Sequence, residues 1–288
     1  MDYRKYVVAL REKAKIGPKG FQQLLMSFGS PENVYKASQE ELLSLPRMTP
    51  EKAEQILKSQ DCLPEIEKHL LYLEEQGIGI LTILDDNYPQ LLKQLDDPPP
   101  LLYFKGEFPI QSNQFIAVVG THSATAEGIE MAVQIGKTLS KRKVVLVSGL
   151  ARGIDSAAHI GALKGGGKTY AVFGAGLNNI YPSENVSLAE QITKSGALIT
   201  EYDLNVPVKV GRLMARNRIV VGLSQAIIVV EMDEKSVGTM GAAEIACKQG
   251  KPLFVMRKEG SQKVDELIDQ GAVALQGVED LDLVVDYI

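Results

Sequence analysis

Apolar residues recur at three- and four-residue spacing in "YRKYVVALREKA" and "GFQQLLMSF", the period of a helix with one buried face. "SPENVYKAS" and "TPEKAEQILKS" each open with Ser or Thr followed by Pro, the signature of a capped first turn. These segments predict five or so short helices over residues 1–78, a small all-α domain. From Phe115 the pattern changes. "FIAVVG", "KVVLVSG", "TYAVFG", "ALITEY", "AIIVVE" and "PLFVM" are short, unbroken and rich in β-branched residues. Such runs lack the alternation of a half-wet strand, so they predict strands buried on both faces. Helix-like segments starting near Ala126, Ser156, Glu184, Gly211 and Gly238 separate them. Strand and helix in strict alternation define an α/β fold: a mainly parallel sheet with helices on both faces over residues 115–288. Residues 79–114 form a linker, stiffened by Pro98 to Pro100 and followed by an edge strand at "LLYF".

The length of 288 residues fits two domains. Two distant cysteines, Cys62 and Cys247, offer neither a disulfide framework nor metal-ligand spacing. No leader segment and no apolar run of spanning length is visible, so a cytoplasmic protein without membrane insertion is expected. The net charge of −5 argues against binding polyanions over the whole surface. Charge is nonetheless uneven: no acid lies between Asp203 and Glu231, a span that holds Lys209, Arg212, Arg216 and Arg218.

Ligands of open parallel sheets bind outside the carboxyl ends of the strands, which directs attention to the loops there. In "VSGLARGIDSAAH", Ser148, Gly149, Ala151, Arg152 and Gly153 lie between a strand and a helix expected to begin near Asp155 or Ser156. Flexible backbone, free helical N–H groups and a fixed cation make an anion cradle. "GTHSAT" brings Gly120, Thr121 and His122 to the same edge; "GRLMARNRIVVGLS" brings Arg212, Arg216, Asn217 and Arg218. An imidazole at position 122 beside a phosphate would bind it better in acid; alternatively it packs away from the cradle. Supporting roles fall to Asp155 and to His159, one helical turn later on the same face, where pairing would orient the loop. Glu231, at the end of a strand, is expected to cap a loop or fix an Arg.

Several familiar chemistries are excluded. "GAGLNNIYP" starts like a dinucleotide turn but has Asn179 where Gly or Ala is needed, and "GALKGGGKT" has Ala162 at the first glycine of a phosphate loop. There is no metal-site spacing and no nucleophile with its base, so neither metal, cofactor nor catalytic residue is expected. In "LPRMTPEKAEQI", similar to a helix-hairpin-helix turn, Arg47 stands in place of Gly, which favours ordinary helix packing.

"SGLARGID" with "AAH", "GLNNIYPSEN", "RNRIVVGLS" with "VVE", "DDNYPQLL" with "DPPPLLYFKG", and "FGSPENVYKASQEELLSLP" together resemble the DNA-processing protein A family (DprA, also called Smf) along nearly the whole chain. The resemblance implies an extended Rossmann-like domain behind a small SAM-like, helix-hairpin-helix-like domain. It also implies binding of single-stranded DNA during natural transformation and recombination, protection of incoming DNA, and loading of RecA recombinase past single-strand-binding protein. A cytoplasmic homodimer is implied as well, and the absence of a nucleophile with its base leads us to expect no enzymatic activity. Gly120-Thr121-His122 departs from the family's Gly-Ser-Arg, Ser236-Val237-Gly238 from its Ser-Gly-Ser, and no winged-helix module fits after Gly260. Two rival readings use the same edge: a sensor of a small nucleotide, or a nucleoside-monophosphate phosphoribohydrolase. The latter's "GGxGTxxE" loop is matched only at Gly238-Thr239, and Ala242 takes the place of its catalytic Glu.

Overall fold

The computed structural model describes residues 3–109, 114–233, 236–258 and 260–288. The chain divides into two compact units, residues 1–88 with 93–103, and residues 89–92 with 104–288.

The first unit is built from short capped helices: α1 (Arg4–Val8, continued by a π-type turn), α2 (Pro18–Phe28), α3 (Pro31–Val34), α4 (Gln39–Leu43), α5 (Pro50–Ser59) and α6 (Leu63–Glu75). Ser30 and Thr49 cap α3 and α5 with Pro at the next position, and Ser38 forms a reciprocal capping box with Glu41 on α4. The apolar stripes converge: Val7, Leu10, Phe21, Leu24, Val34, Leu42 and Ile56 are all buried. Beyond α6 lies a strand that the apolar pattern did not predict, β1 (Ile78–Thr82), next to β2 (Leu101–Gly106), which includes the expected "LLYF"; a four-residue helix, α7 (Gln90–Lys93), stands between them in the chain. Gly77, at φ +68°, ends α6 and frees "IGILT" to extend. The acidic turn that follows is an anchor. Asp85 accepts hydrogen bonds from Tyr3 Oη (2.6 Å), Thr82 N (2.7 Å) and Arg4 Nη2 (3.1 Å).

In the second unit seven strands run parallel: β3 (Phe115–Val119), β4 (Val145–Ser148), β5 (Thr169–Phe173), β6 (Ala197–Thr200), β7 (Ala226–Val229), β8 (Leu253–Met256) and β9 (Val273–Leu275). Their spatial order is β6-β5-β4-β3-β7-β8-β9. Every residue of β4 through β8 is buried, as the unbroken apolar runs require. One face packs on α8 (Ala126–Lys141) and α9 (Ile154–Lys164): Ile116, Val118, Leu146, Ile228 and Phe254 cluster with Ile135, Leu139, Ala158 and Ala162. Alternate strand residues turn the other way, toward α11 (Val210–Leu223) and α12 (Val237–Lys248), whose Ile219, Val220, Ala242 and Ala246 are buried outside that cluster. The connection α10 (Val186–Ile192) and the closing helices α13 (Gln262–Asp269) and α14 (Leu281–Asp286) complete the layers. The strand order reverses between β3 and β7, and that reversal opens a crevice at their carboxyl ends.

Candidate nucleic-acid interface

A pocket of about 460 Å³ occupies that crevice. It brings together Gly120, Thr121 and His122 after β3, Gly149, Ala151, Arg152 and Asp155 around the β4–α9 turn, and Arg216 and Asn217 of α11. Ser148, Gly153, Arg212, Arg218, His159 and Glu231 are not on its wall.

The β4–α9 turn is folded by its own acid. Asp155 is buried and reaches back to accept from Gly149 N (3.1 Å) and Ala151 N (3.4 Å). These amides, expected to face an anion, are therefore spent inside the turn. The helix starts at Ile154, with Gly153 at φ +71° as N-cap, earlier than expected because Asp155 is already in its first turn. A side chain at Gly153 would run into the Thr121 carbonyl, at 2.3 Å, so this glycine lets the β3 and β4 loops touch. Leu150, non-glycine and buried, also sits at positive φ (+56°). Its carbonyl is held by Asn185 Nδ2 at 2.9 Å.

Arg216 is only 7% exposed and lies across Gly149; a Cβ there would come within 1.5 Å of its Nη1. That Nη1 donates to the Val172 carbonyl (2.8 Å). Burial pushes the Asp155 carboxyl up, while Arg216 beside it and the two amides pull the other way. Arg216 is thus a buried cation held by a strand carbonyl, its charge favouring the ionised form of nearby Asp155, and both residues form part of the pocket wall. Arg218 turns to buried Glu201 instead (2.6 Å), and Arg212 donates to the Pro207 carbonyl and stacks on Tyr202. Helical spacing puts residues 216 and 218 on different faces, and only Arg216 reaches the pocket.

The other positions hold the scaffold. Ser148 Oγ donates to the Val118 carbonyl (2.6 Å). Glu231 caps the β3–α8 loop, accepting from Thr125 N (2.9 Å) and pairing with Lys258, not with an Arg. Burial works against the charged form of Glu231, but Lys258 and Thr125 outweigh it and hold the carboxyl below its usual range. His159 does not pair with Asp155. Its Nδ1 meets Thr169 Oγ1 at 2.7 Å, and that hydroxyl donates to the Leu146 carbonyl, so Nδ1 carries the proton and Thr169 accepts it. Burial, and next the charge of Arg216, push His159 down to about 3.

What remains open toward the pocket is mixed. His122 and Arg152 are exposed at its mouth; Arg152 chelates Glu184 with Nη2 at 2.9 Å, a surface pair that a stronger anion can displace. Tyr181, Leu213, Met214 and Val237 give it an apolar side. The loop after β7 was expected to contribute no site residue beyond Glu231, and residues 234 and 235 lie outside the described residues. Asp233 and Ser236 nevertheless line the pocket: Thr121 Oγ1 donates to Asp233 Oδ2 (2.8 Å), and Ser236 Oγ to Oδ1 (2.8 Å). Asn217 Nδ2 donates to the Gly238 carbonyl (2.9 Å), tying α11 to the start of α12. Among the described residues no cluster of His, Cys, Asp and Glu could hold a metal ion, and no helix is long and apolar enough to cross a membrane.

A pocket at the switch point of a doubly wound sheet, part cationic and part apolar, defines a Rossmann-like protein. The family profile described as DNA recombination-mediator protein A matches residues 79–285, and the chain belongs to that family. It is 35% identical over 223 residues to the DNA processing protein DprA of Bacillus subtilis, covering 76% of this chain and 75% of that one. Against the protein Smf of Synechocystis it is 33% identical, covering 86% of this chain but only 63% of the relative. The X-ray structure of DprA from Streptococcus pneumoniae superposes with a TM-score of 0.83 at 29% identity over 96% of both chains. A Helicobacter pylori DNA processing protein A, described for its single-stranded DNA binding mode, superposes with a TM-score of 0.66 at 30% identity, over 73% of this chain and 97% of that one.

Proposed function

We propose that this DNA-processing family member binds single-stranded DNA without strong sequence preference, a nucleotide of the strand entering the pocket at the β3/β7 switch point. The observation that carries this reading is the presence at the mouth of Arg152 and the exposed His122 ring beside an apolar side formed by Tyr181, Leu213 and Met214. Cations grip phosphate whatever the base, and an aromatic or aliphatic wall accepts any base face. The Helicobacter pylori relative's described binding mode supports it. In the cell the bound strand would be incoming DNA of natural transformation, protected in the cytoplasm and handed by a homodimer to RecA recombinase past single-strand-binding protein. The protein acts here as a binder, not an enzyme. Among the described residues the pocket's two carboxylates are committed to loop bonds, Asp155 to amides and Asp233 to hydroxyls, so neither is free to serve as a general acid or base.

Binding of labelled oligonucleotides at graded salt tests the reading: affinity for single strands should fall by about 0.7 log unit per log unit of salt for each phosphate contact. A flat response, or no binding at low salt, refutes it. The pocket volume favours one alternative, a sensor of a free nucleotide. In that case mononucleotides would bind as tightly as a strand and displace it completely. RecA-driven strand exchange with single-strand-binding protein present tests the loading step, which should be accelerated by the parent and not by an Arg152→Ala variant.

A further inference from the structure

We propose that the helical unit carries a second, separate site for the phosphodiester backbone of nucleic acid. Its residues form two turns of one design. Lys15-Ile16-Gly17-Pro18 leads into α2, and Arg47-Met48-Thr49-Pro50 leads into α5. In each, a cationic residue adopts the left-handed conformation (φ +54° at Lys15, +60° at Arg47), an apolar residue follows, then the N-cap, then Pro in the first turn. Arg47 thus takes the backbone shape that a glycine would have supplied. Gln23 Nε2 donates to the Pro46 carbonyl at 2.9 Å and holds α2 against the second turn.

Both turns border one cavity of about 440 Å³. Lys15, Lys19, Arg47 and Lys52 line it, facing a single acid, Asp97. Among the described residues these four cations make no ion pair, whereas Arg4, Lys5, Lys13, Lys36 and Lys58 of the same unit each hold a carboxylate. Four like charges around one hollow repel one another, and two stand on a backbone conformation that non-glycine residues disfavour. An anion relieves the repulsion. The first turn of α2 adds its N–H groups, since Gly17 offers no side-chain cap.

The cations are spread over two separate turns, Lys15 and Lys19 at the start of α2 and Arg47 and Lys52 at the start of α5, not gathered about one point. That arrangement suits successive phosphates of a strand better than one small ion. The site belongs to a different unit from the pocket at the sheet edge, and the two can fail separately.

The test uses the full chain and a long labelled single strand, with affinity measured against salt. The cavity variant carries Lys15→Ala, Arg47→Gly and Lys52→Ala; a control carries Lys36→Ala, Lys58→Ala and Lys68→Ala; a pocket variant carries Arg152→Ala and Asn217→Ala. With three phosphates no longer gripped, the cavity variant's salt slope should fall by about 2, and the control's should stay as in the parent. Because Arg47→Gly relaxes the turn, its melting temperature should not fall, which separates lost binding from lost folding. An unchanged slope in the cavity variant, or an equal drop in the control, overturns the proposal. If the pocket variant alone loses binding, the second site fails and the pocket reading stands; if the cavity variant alone loses it, the pocket reading fails and this one stands. Complete displacement of the strand from the pocket variant by an equal concentration of inorganic phosphate also overturns it.

Discussion

The two basic regions of this chain have opposite internal chemistry. In the α/β unit the arginines are largely engaged by the protein itself: Arg216 by the Val172 carbonyl, Arg218 by Glu201, Arg152 by Glu184. Around the cavity of the helical unit the cations face the hollow without carboxylate partners among the described residues. Arginine content therefore measures neither anion affinity nor its location; what counts is the charge left after internal pairing. A buried pair shapes a site and a free cation supplies its attraction.

The contrast breaks most visibly at Arg216. Arg216→Met should cost about 3–5 kcal/mol, because it leaves the buried Val172 carbonyl without its donor and withdraws the positive charge that favours the ionised form of buried Asp155. Chemical denaturation measures this, and a loss of less than about 1 kcal/mol would show that Asp155 does not depend on Arg216.

Somewhat smaller is the acid limb of stability. His159 is held neutral in the folded chain down to about 3, whereas the unfolded chain takes up that proton at about 6.5. The unfolded state binds the extra proton between those values, so the contribution of His159 is complete above about pH 6.5 and is lost as pH falls toward 3, with about 3 kcal/mol gone by roughly pH 4. Asp155, raised by burial, works in the opposite direction, and comparing the parent with His159→Leu isolates the imidazole. Parallel curves of melting temperature against pH for the two proteins would contradict the assignment.

Smaller again is Arg152→Ala. Its partner Glu184 is exposed, so the melting temperature should not move, while the salt slope of DNA binding should drop by about 0.7. The least effect belongs to His122→Ala, a modest weakening of DNA binding at the pocket mouth with the melting temperature unchanged. Affinity equal to the parent's would remove His122 from the site.

The layers were legible because burial on both faces writes itself as unbroken apolar runs; each of the six runs from "FIAVVG" to "PLFVM" contains a strand of the sheet. The loops at its carboxyl edge were legible as places, since topology alone puts a pocket there. The roles within them were not. Whether the amides of Gly149 and Ala151 point outward depends on Asp155 folding back over its own turn, a contact within one loop that no period encodes. Arg216 and Arg218 differ by two positions and by what each meets, the Val172 carbonyl or the Glu201 carboxylate, both outside their own helix. Asp233 was missed for the same reason: its partner Thr121 lies 112 residues earlier.

The guanidinium of Arg216 fills the volume that a side chain at Gly149 would need. The two positions are therefore coupled: a larger residue at 149 pushes the guanidinium aside and with it the hydrogen bond to the Val172 carbonyl. A Gly149→Ala, Arg216→Met double change would fill the same volume with uncharged side chains, replacing a charged pocket wall by a neutral one.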